Sequence, residues 1–154
     1  MTPFSVVPLT IRDIRHVYRL EQDIFPLDAY PYPDLALMLL TPGMRNFKAI
    51  NAIHEILGFI AVADVWVRPE SRPAWVFTLG VARAYQNQGI GRELLRVVES
   101  HLSANRIRLT VRCSNAPAIH LYDRTGYRTV QTYHAYYRDG EDGLIIEKQP
   151  QNAD

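Results

Sequence analysis

Residues 75–92 read Trp-Val-Phe-Thr-Leu-Gly-Val-Ala-Arg-Ala-Tyr-Gln-Asn-Gln-Gly-Ile-Gly-Arg, and the class of fold is predicted from this segment. Its opening residues are aromatic and β-branched and predict a strand. Apolar residues at helical spacing then predict a helix over residues 89–104. Gly89 and Gly91 let backbone N–H groups approach an anion closely at the helix start, where the helix dipole contributes about half a positive charge and Arg92 adds a full one. This turn therefore predicts a cradle for a pyrophosphate group.

Two familiar phosphate-binding patterns do not match the turn. The Lys-Ser/Thr pair of a P-loop is missing after Gly91, and the third glycine of a dinucleotide fingerprint is absent. Taken alone, the two glycines are equally consistent with a tight turn followed by an ordinary solvated arginine. The choice between these interpretations depends on the residues around the turn.

The rest of the pattern predicts a mixed α/β domain. Prolines between residues 25 and 33 exclude a helix there, whereas Thr10 and Asp13 resemble a capping box at the start of the first helix. Strands are predicted over residues 4–9, 47–52, 56–67, 75–81, 107–113, 127–138 and 144–148. Helices are predicted over residues 11–23, 34–40 and 89–104, and from residue 114 to a left-handed stop at Gly126. We expect one domain at residues 1–149 and a disordered tail at 150–154.

Composition excludes several classes of function. The 154 residues suit one domain, and 17 Lys+Arg against 16 Asp+Glu leave a net charge of +1, which argues against a nucleic-acid binder. One cysteine, Cys113, excludes a disulfide framework, and the five histidines show no ligand spacing, so we expect no metal. No apolar run reaches the roughly 18 residues of a membrane span, and the first residues lack a basic signal region. We therefore expect a cytoplasmic protein without membrane partners, whose oligomeric state the sequence leaves open.

Several spaced motifs surround the turn. Leu79-Gly-Val-x-x-x-Tyr-Gln-x-Gln-Gly-Ile-Gly-Arg92 is followed by Val111-Arg112, Ser114-Asn115, Leu121-Tyr122 and Gly126-Tyr127. This set resembles the GNAT superfamily of acyl-CoA-dependent N-acetyltransferases over residues 75–148, and the order of predicted elements agrees. Arg112-x-Ser-Asn115 and Tyr136-Tyr137-x-Asp-Gly-Glu-Asp-Gly143 are similar to the RimI-type and other N-terminal protein acetyltransferases. The resemblance implies the GNAT fold, a single α/β (α+β) domain with a mixed central β-sheet flanked by helices, and acetyl-CoA as co-substrate.

The resemblance also implies the site residues. Those expected to bind acetyl-CoA, where strand 4 splays from strand 5 and in the turn, are Leu79, Gly80, Val81, Gln86, Asn87, Gln88, Gly89, Ile90, Gly91, Arg92 and Asn115. The Val81 N–H is expected to face the thioester carbonyl, and Tyr122 is expected to protonate the departing thiolate. Those expected to contact the acceptor are Phe25, Pro26, Tyr30, Tyr136 and Tyr137, the last two on opposite faces of a strand. From the residues alone, Asn115 could instead be a helix N-cap, and Tyr122 a packed aromatic with a locally satisfied hydroxyl.

The general base is not identified by the motifs. Thr110 and Trp75 stand where relatives carry proton acceptors, and neither can take a proton, so a water chain to Glu21 or His134 is the remaining route. An α-amine, with a pKa of about 7.7–8.0, needs a strong base less than a lysine with a pKa of about 10.4. The sequence therefore predicts an acetyltransferase that acts on a protein or peptide N-terminus. The alternatives are a small-molecule amine acetyltransferase and a non-catalytic acyl-CoA-binding module.

Overall fold

The computed structural model describes residues 1–64 and 72–149. These residues form seven strands: β1 (Ser5–Pro8), β2 (Met44–Ile50), β3 (Ile56–Ala63), β4 (Ala74–Val81), β5 (Ile107–Arg112), β6 (Arg128–Tyr133) and β7 (Gly143–Lys148). They also form four α-helices, α1 (Ile14–Ile24), α2 (Tyr32–Leu40), α3 (Ile90–Glu99) and α4 (Ala116–Arg124), and short 3-10 turns at Ile11–Asp13 and Arg83–Tyr85. Among them no helix has the length and apolarity that a membrane span requires. The tail predicted at 150–154 lies outside the described residues.

The strands form one mixed sheet in the order β1-β2-β3-β4-β5-β7-β6. Neighbouring strands are antiparallel except β4 and β5, which run parallel. Only Ala74 with Ile107 and Trp75 with Arg108 pair between these two strands, although both strands continue beyond them. Past these pairs β4 and β5 diverge and leave an opening in the middle of the sheet.

Helices cover both faces of this sheet, so its central strands are buried on both sides. β3 is buried along nearly its whole length. On one face Ile60 belongs to a core that includes Leu94 of α3, and on the other face Phe59 belongs to a core that includes Val17 of α1 and Leu35 of α2. Adjacent side chains of a strand point to opposite faces, which is why neighbouring β3 residues serve different cores.

A bulge in β4 changes which face its side chains meet. Ala61 pairs with Thr78 and Val62 pairs with Val76, so Phe77 is the extra residue, and its side chain is exposed. Without the bulge, Val76 and Thr78 would share a face. Instead Val76 packs in the α3 core, while the Thr78 hydroxyl bonds to a side chain of α1.

Some predicted boundaries are wrong for identifiable reasons. The second helix starts at Tyr32 rather than residue 34, because Pro33 occupies the first turn, where a missing N–H costs nothing. The third helix ends at Glu99 rather than residue 104, because the N–H groups of Ser103 and Ala104 donate to the Asp64 carboxylate instead of to helical carbonyls.

Two strand predictions also need correction. The strand predicted over 127–138 ends at Tyr133, because Ala135 takes a left-handed conformation with φ of 51° and turns the chain. The strand predicted over 56–67 is observed to Ala63, and its residues 65–67 lie outside the described part of the chain. The strand predicted over 47–52 begins earlier, at Met44, where it pairs with Ala63.

Candidate active site

The divergence of β4 and β5 opens a cleft of about 800 Å³. Its walls come from β4, β5, α4, the α1–α2 loop (residues 25–31) and the β6–β7 turn (residues 134–142). Seven predicted site residues line it: Leu79, Asn115, Tyr122, Phe25, Tyr30, Tyr136 and Tyr137. Pro26 is not among the residues that line it, although its neighbours in the loop are.

The turn before α3 has the backbone geometry of an anion site. Gly89 has φ of 83° and Asn87 has φ of 61°, and a Cβ added to Gly89 would meet no atom within 4 Å. The first helical bond in α3 is donated by Glu93 to the Gly89 carbonyl at 3.0 Å. The N–H groups of the preceding residues therefore lack helical acceptors and point toward the open side of the turn. Arg92 is exposed, and no carboxylate in the described ranges pairs with it.

Other residues of this turn form hydrogen bonds and packing contacts within the protein. Gln86 donates from Nε2 to the Val81 carbonyl at 3.0 Å, and Gln88 accepts the Thr2 N–H at 2.8 Å. Ile90 is buried in the core. A Cβ on Gly91 would lie 3.1 Å from Leu121 Cδ2, so this glycine allows close packing of α3 on α4. The backbone groups of these residues remain for a ligand, together with the Gln88 amide N–H groups and the side chain of Arg92.

The end of β4 presents a backbone donor to the opening. Ala82 donates its N–H to the Leu57 carbonyl of β3 at 2.8 Å. Because successive residues of a strand direct their N–H groups to opposite edges, the Val81 N–H points away from β3, toward the gap. The Gln86 amide bonded to the Val81 carbonyl lies on that same side. Gly80 packs closely against α1, since a Cβ there would lie 2.9 Å from Ile24 Cδ1, which would have to move.

Tyr122 places an unpartnered hydroxyl in the cleft. Its ring is buried and packs edge-on against Tyr127, with 5.3 Å between centroids. Tyr127 donates its own hydroxyl to Glu99 at 2.8 Å, whereas within residues 1–64 and 72–149 no group hydrogen-bonds the Tyr122 hydroxyl. Burial raises the pKa of Tyr122 well above that of a free phenol, so the group stays protonated and able to donate.

Asn115 is the N-cap of α4. Its Oδ1 accepts the Ala118 N–H at 3.3 Å, as cap chemistry predicts. The residue also lines the cleft, and this bond uses only its carbonyl oxygen. Its amide N–H groups are left to donate to a ligand.

The two tyrosines of the β6–β7 turn lie together, contrary to the sequence prediction. Tyr136 and Tyr137 were expected on opposite faces of a strand, but β6 ends at Tyr133 and both residues follow the turn at Ala135. Their rings pack edge-on with centroids 5.0 Å apart, and both line the cleft with Tyr30 opposite them in the α1–α2 loop. This side of the cleft is therefore largely aromatic.

Glu21 is a buried carboxylate that no motif had placed in the wall of the cleft. Only 1% of its surface is exposed. Its Oε2 accepts the Thr78 hydroxyl at 2.8 Å and its Oε1 accepts the Tyr30 N–H at 3.2 Å. Burial raises the pKa of this carboxyl, and the two hydrogen bonds oppose that effect. The sequence analysis named Glu21 only as the end of a water route, and its spacing from Ile14 and Val17, which places it on the buried stripe of α1, is the signal that predicts its burial.

Arg112 is a second residue whose place in the site the motifs did not predict. Its guanidinium donates to both oxygens of Asp28, at 2.6 and 2.7 Å, and to Asp139 and Glu141 at 2.8 and 3.0 Å. It also lies over the Tyr137 ring, 4.1 Å from the centroid. Hydrogen bonds from Ser114 and then Arg112 hold the pKa of Glu141 at about 2, so this carboxylate is ionised at neutral pH.

Among residues 1–64 and 72–149, every carboxylate that lines the cleft is already bonded. Glu21 accepts two hydrogen bonds, and Asp28 and Asp139 are paired with Arg112. Thr110 and Trp75 line the cleft without adding a base. His134 pairs with Asp142 at 3.2 Å, has a 90% exposed side chain and does not line the cleft. Of the two water routes considered from the sequence, only that to Glu21 starts in the cleft.

Comparison with known proteins agrees with this geometry. Residues 13–127 match the model of the Acetyltransferase (GNAT) family. An N-alpha-acetyltransferase of Sulfurisphaera tokodaii is 36% identical, with 88% of this chain and 87% of that protein aligned. The N-alpha-acetyltransferase RimI of Mycobacterium tuberculosis is 29% identical, with 95% and 92% aligned. The crystal structure of the ribosomal-protein-S18-alanine N-acetyltransferase from Escherichia coli superposes with a TM-score of 0.83 at 26% identity, covering 99% of this chain and 97% of that one.

The chain therefore belongs to the GNAT acetyltransferase family and is an acyltransferase. Enzymes of this family use acetyl-CoA as the acyl donor. The fold and family predicted from the sequence are confirmed: a mixed sheet flanked by helices, open between β4 and β5.

Proposed function

We propose that this protein transfers the acetyl group of acetyl-CoA directly to the N-terminal α-amine of a protein or peptide. The observation that carries the proposal is a cleft whose described residues include a tyrosine hydroxyl without a partner, an aromatic side and no carboxylate free of a protein partner. Relatives named as N-alpha-acetyltransferases that align along most of the chain support the same acceptor.

Acetyl-CoA, the acyl donor, fits groups of the chain that have no other hydrogen-bond partner. The free N–H groups at the start of α3, with Asn87, Gly89 and Arg92, are placed to hold the pyrophosphate. At the open edge of β4 the Leu79 backbone and the Val81 N–H offer bonds to the pantetheine arm, and the Asn115 amide offers a further donor. These contacts use groups that the folded chain leaves unpaired, which is what a ligand requires.

Two groups of the chain then act on the reaction. As the amine attacks the thioester carbonyl, negative charge develops on the carbonyl oxygen, and the Val81 N–H stabilises it. When the carbon–sulfur bond breaks, the Tyr122 hydroxyl donates its proton to the departing thiolate. The attacking nitrogen loses one proton to solvent and the Tyr122 phenolate regains one from solvent, so the transfer balances and leaves an amide and a free thiol.

An α-amine fits this site better than a lysine or a polyamine. Because the cleft carboxylates are bonded to protein groups, the amine must arrive largely neutral, and an α-amine with a pKa of about 7.7–8.0 does so near neutral pH. A polycationic small molecule would require unpaired acidic groups, which the lining does not provide. A non-catalytic acyl-CoA-binding module would have no use for the unpartnered Tyr122 hydroxyl.

Arg92→Glu should raise the Kd of acetyl-CoA at least about tenfold, because a charge-assisted bond worth about 1.5–3 kcal/mol is replaced by repulsion of the pyrophosphate. Isothermal calorimetry on the purified variant measures this Kd. Arg15→Glu makes the same change of charge at an exposed position of α1, away from the cleft, and is the matched control. Equal affinities in the wild type and Arg92→Glu would contradict the assignment of the pyrophosphate to this turn.

The proposed acceptor is tested by an acetylation screen. A library of peptides with free N-termini and internal lysines is incubated with acetyl-CoA and the modified atom is mapped by mass spectrometry. We expect acetylation at the α-amine. Acetylation confined to lysine side chains or to small amines added to the same reaction would overturn the proposal.

A further inference from the structure

Arg112 joins two segments of chain across the mouth of the cleft. It ends β5, Asp28 belongs to the α1–α2 loop, and Asp139 and Glu141 belong to the β6–β7 turn. We call these four residues the Arg112 clamp. All four of its hydrogen bonds to carboxylates are between 2.6 and 3.0 Å, and the Arg112 side chain is only 13% exposed. Its geometry is the two-pronged arginine–carboxylate fork, which a lysine cannot reproduce.

The Arg112 clamp carries more negative than positive charge. Its three carboxylates therefore depend on the same guanidinium. One guanidinium stands among three carboxylates, so the group carries a net charge of 1 − 3 = −2. If Arg112 lost its fork, the carboxylates of the loop and of the turn would repel each other instead of sharing a partner. The two segments would then be driven apart, although the sheet beneath them would remain intact.

The α1–α2 loop is anchored at a second point, on the other strand. The Tyr30 N–H is held by Glu21, which also accepts the Thr78 hydroxyl of β4. Asp28 attaches the same loop to β5 through Arg112. The loop therefore bridges β4 and β5 where these strands diverge, and the two anchors together set the distance between Tyr30 on the loop and Tyr137 beneath the guanidinium.

We propose that Arg112 is a positioning residue for the acceptor: it closes the α1–α2 loop against the β6–β7 turn and so assembles the aromatic surface on which a peptide N-terminus lies. This inference rests on the proposed function. It places the effect of Arg112 in acceptor binding rather than in acetyl-CoA binding, because none of the clamp residues belongs to the α3 turn. The chemical step on a correctly seated amine does not require the clamp.

The test compares Arg112→Lys and Asp28→Asn with Asp23→Asn, the matched control. Asp23 lies near the end of α1 and pairs with Arg83 at 3.8 Å, outside the cleft. We expect the KM for a free-N-terminal peptide to rise about tenfold or more in both clamp variants, the size of one lost charge-assisted hydrogen bond, with kcat and the Kd of acetyl-CoA changed less than about threefold. Asp23→Asn should behave as the wild type. The double variant should be no worse than Arg112→Lys, because both changes break the same contact.

Hydrogen exchange of the loop separates this inference from the proposed function. The N–H groups of Asp28 and Ala29 bond to the Phe25 carbonyl at 3.2 and 2.8 Å and report on the loop without any substrate. Their exchange should accelerate in both clamp variants and stay at the wild-type rate in Asp23→Asn. Unchanged exchange in Arg112→Lys, or an unchanged KM despite faster exchange, overturns the positioning role. If the wild type acetylates no peptide N-terminus, the proposed function fails, and unchanged exchange then rejects the clamp as well.

Discussion

Tyr122→Phe should lower kcat about 100-fold or more, the lower end of the effect of general acid–base catalysis. The variant loses one oxygen that bonds to no described group of the chain, so the packing of the ring against Tyr127 is preserved. Because the hydroxyl acts on the departing thiolate, its loss weakens the transition state and not the bound ground state. The Kd of acetyl-CoA should therefore stay close to the wild-type value. Single-turnover kinetics with saturating acetyl-CoA and peptide measures the chemical step directly.

Tyr127→Phe is the matched control for this change. It removes a hydroxyl from the neighbouring ring of the same aromatic pair, but that hydroxyl donates to Glu99 and does not reach the cleft. We expect a loss of stability of about 1–3 kcal/mol from the lost hydrogen bond to the Glu99 carboxylate, which keeps Lys148 as a partner, and a nearly unchanged kcat. A Tyr122→Phe enzyme that keeps the full single-turnover rate would assign Tyr122 to packing alone.

A peptide with a free N-terminus should be acetylated about 100-fold faster at pH 7.4 than the same peptide with a blocked N-terminus and a free lysine. At that pH about a quarter of an α-amine is neutral, against about 0.1% of a lysine side chain, and the higher intrinsic nucleophilicity of lysine recovers only part of this difference. Because no described carboxylate in the cleft is unbonded, the neutral fraction of the substrate amine sets the rate of acetylation. Equal rates for the two peptides would contradict the N-terminal acceptor.

The pH dependence follows from the same argument. Raising the pH deprotonates the substrate amine, so kcat/KM for the free peptide should rise from pH 6 and level off at about pH 8, whereas the lysine peptide should keep rising through about pH 9. A profile that is flat between pH 6 and 8 would show that a protein base takes the proton. Glu21→Gln then identifies that base, because Glu21 is the buried carboxylate whose pKa is raised and whose side chain borders the cleft.

The predictions that succeeded depend on local patterns. The aromatic and β-branched residues before residue 82 and the apolar spacing after Gly89 specify a strand and a helix through neighbours a few residues apart, and the turn between them follows from two glycines. The same holds for the cap at Asn115 and for the left-handed stop at Gly126, which has φ of 95°. The role expected of Tyr122 came from a resemblance and not from the pattern, and it remains a prediction.

The predictions that failed depend on spatial arrangements that a local sequence pattern does not specify. Tyr136 and Tyr137 were placed on opposite faces by strand alternation, but the turn at Ala135 brings both rings into the cleft. The bulge at Phe77 changes which face of the sheet the β4 side chains meet, and no local sequence pattern predicts it.

The order of the elements, the glycine turn before α3 and the class of fold all follow from the sequence alone, since each depends on residues that are close along the chain. Only the tertiary structure decided which carboxylates face the cleft and whether any is free to act as a base. Asp28 and Arg112 are 84 residues apart, and Glu21 and Thr78 are 57 apart. Side chains so distant in sequence meet only because the sheet brings α1 beside β4 and the α1–α2 loop across to β5, and burial and pairing then set the charge that each one can carry.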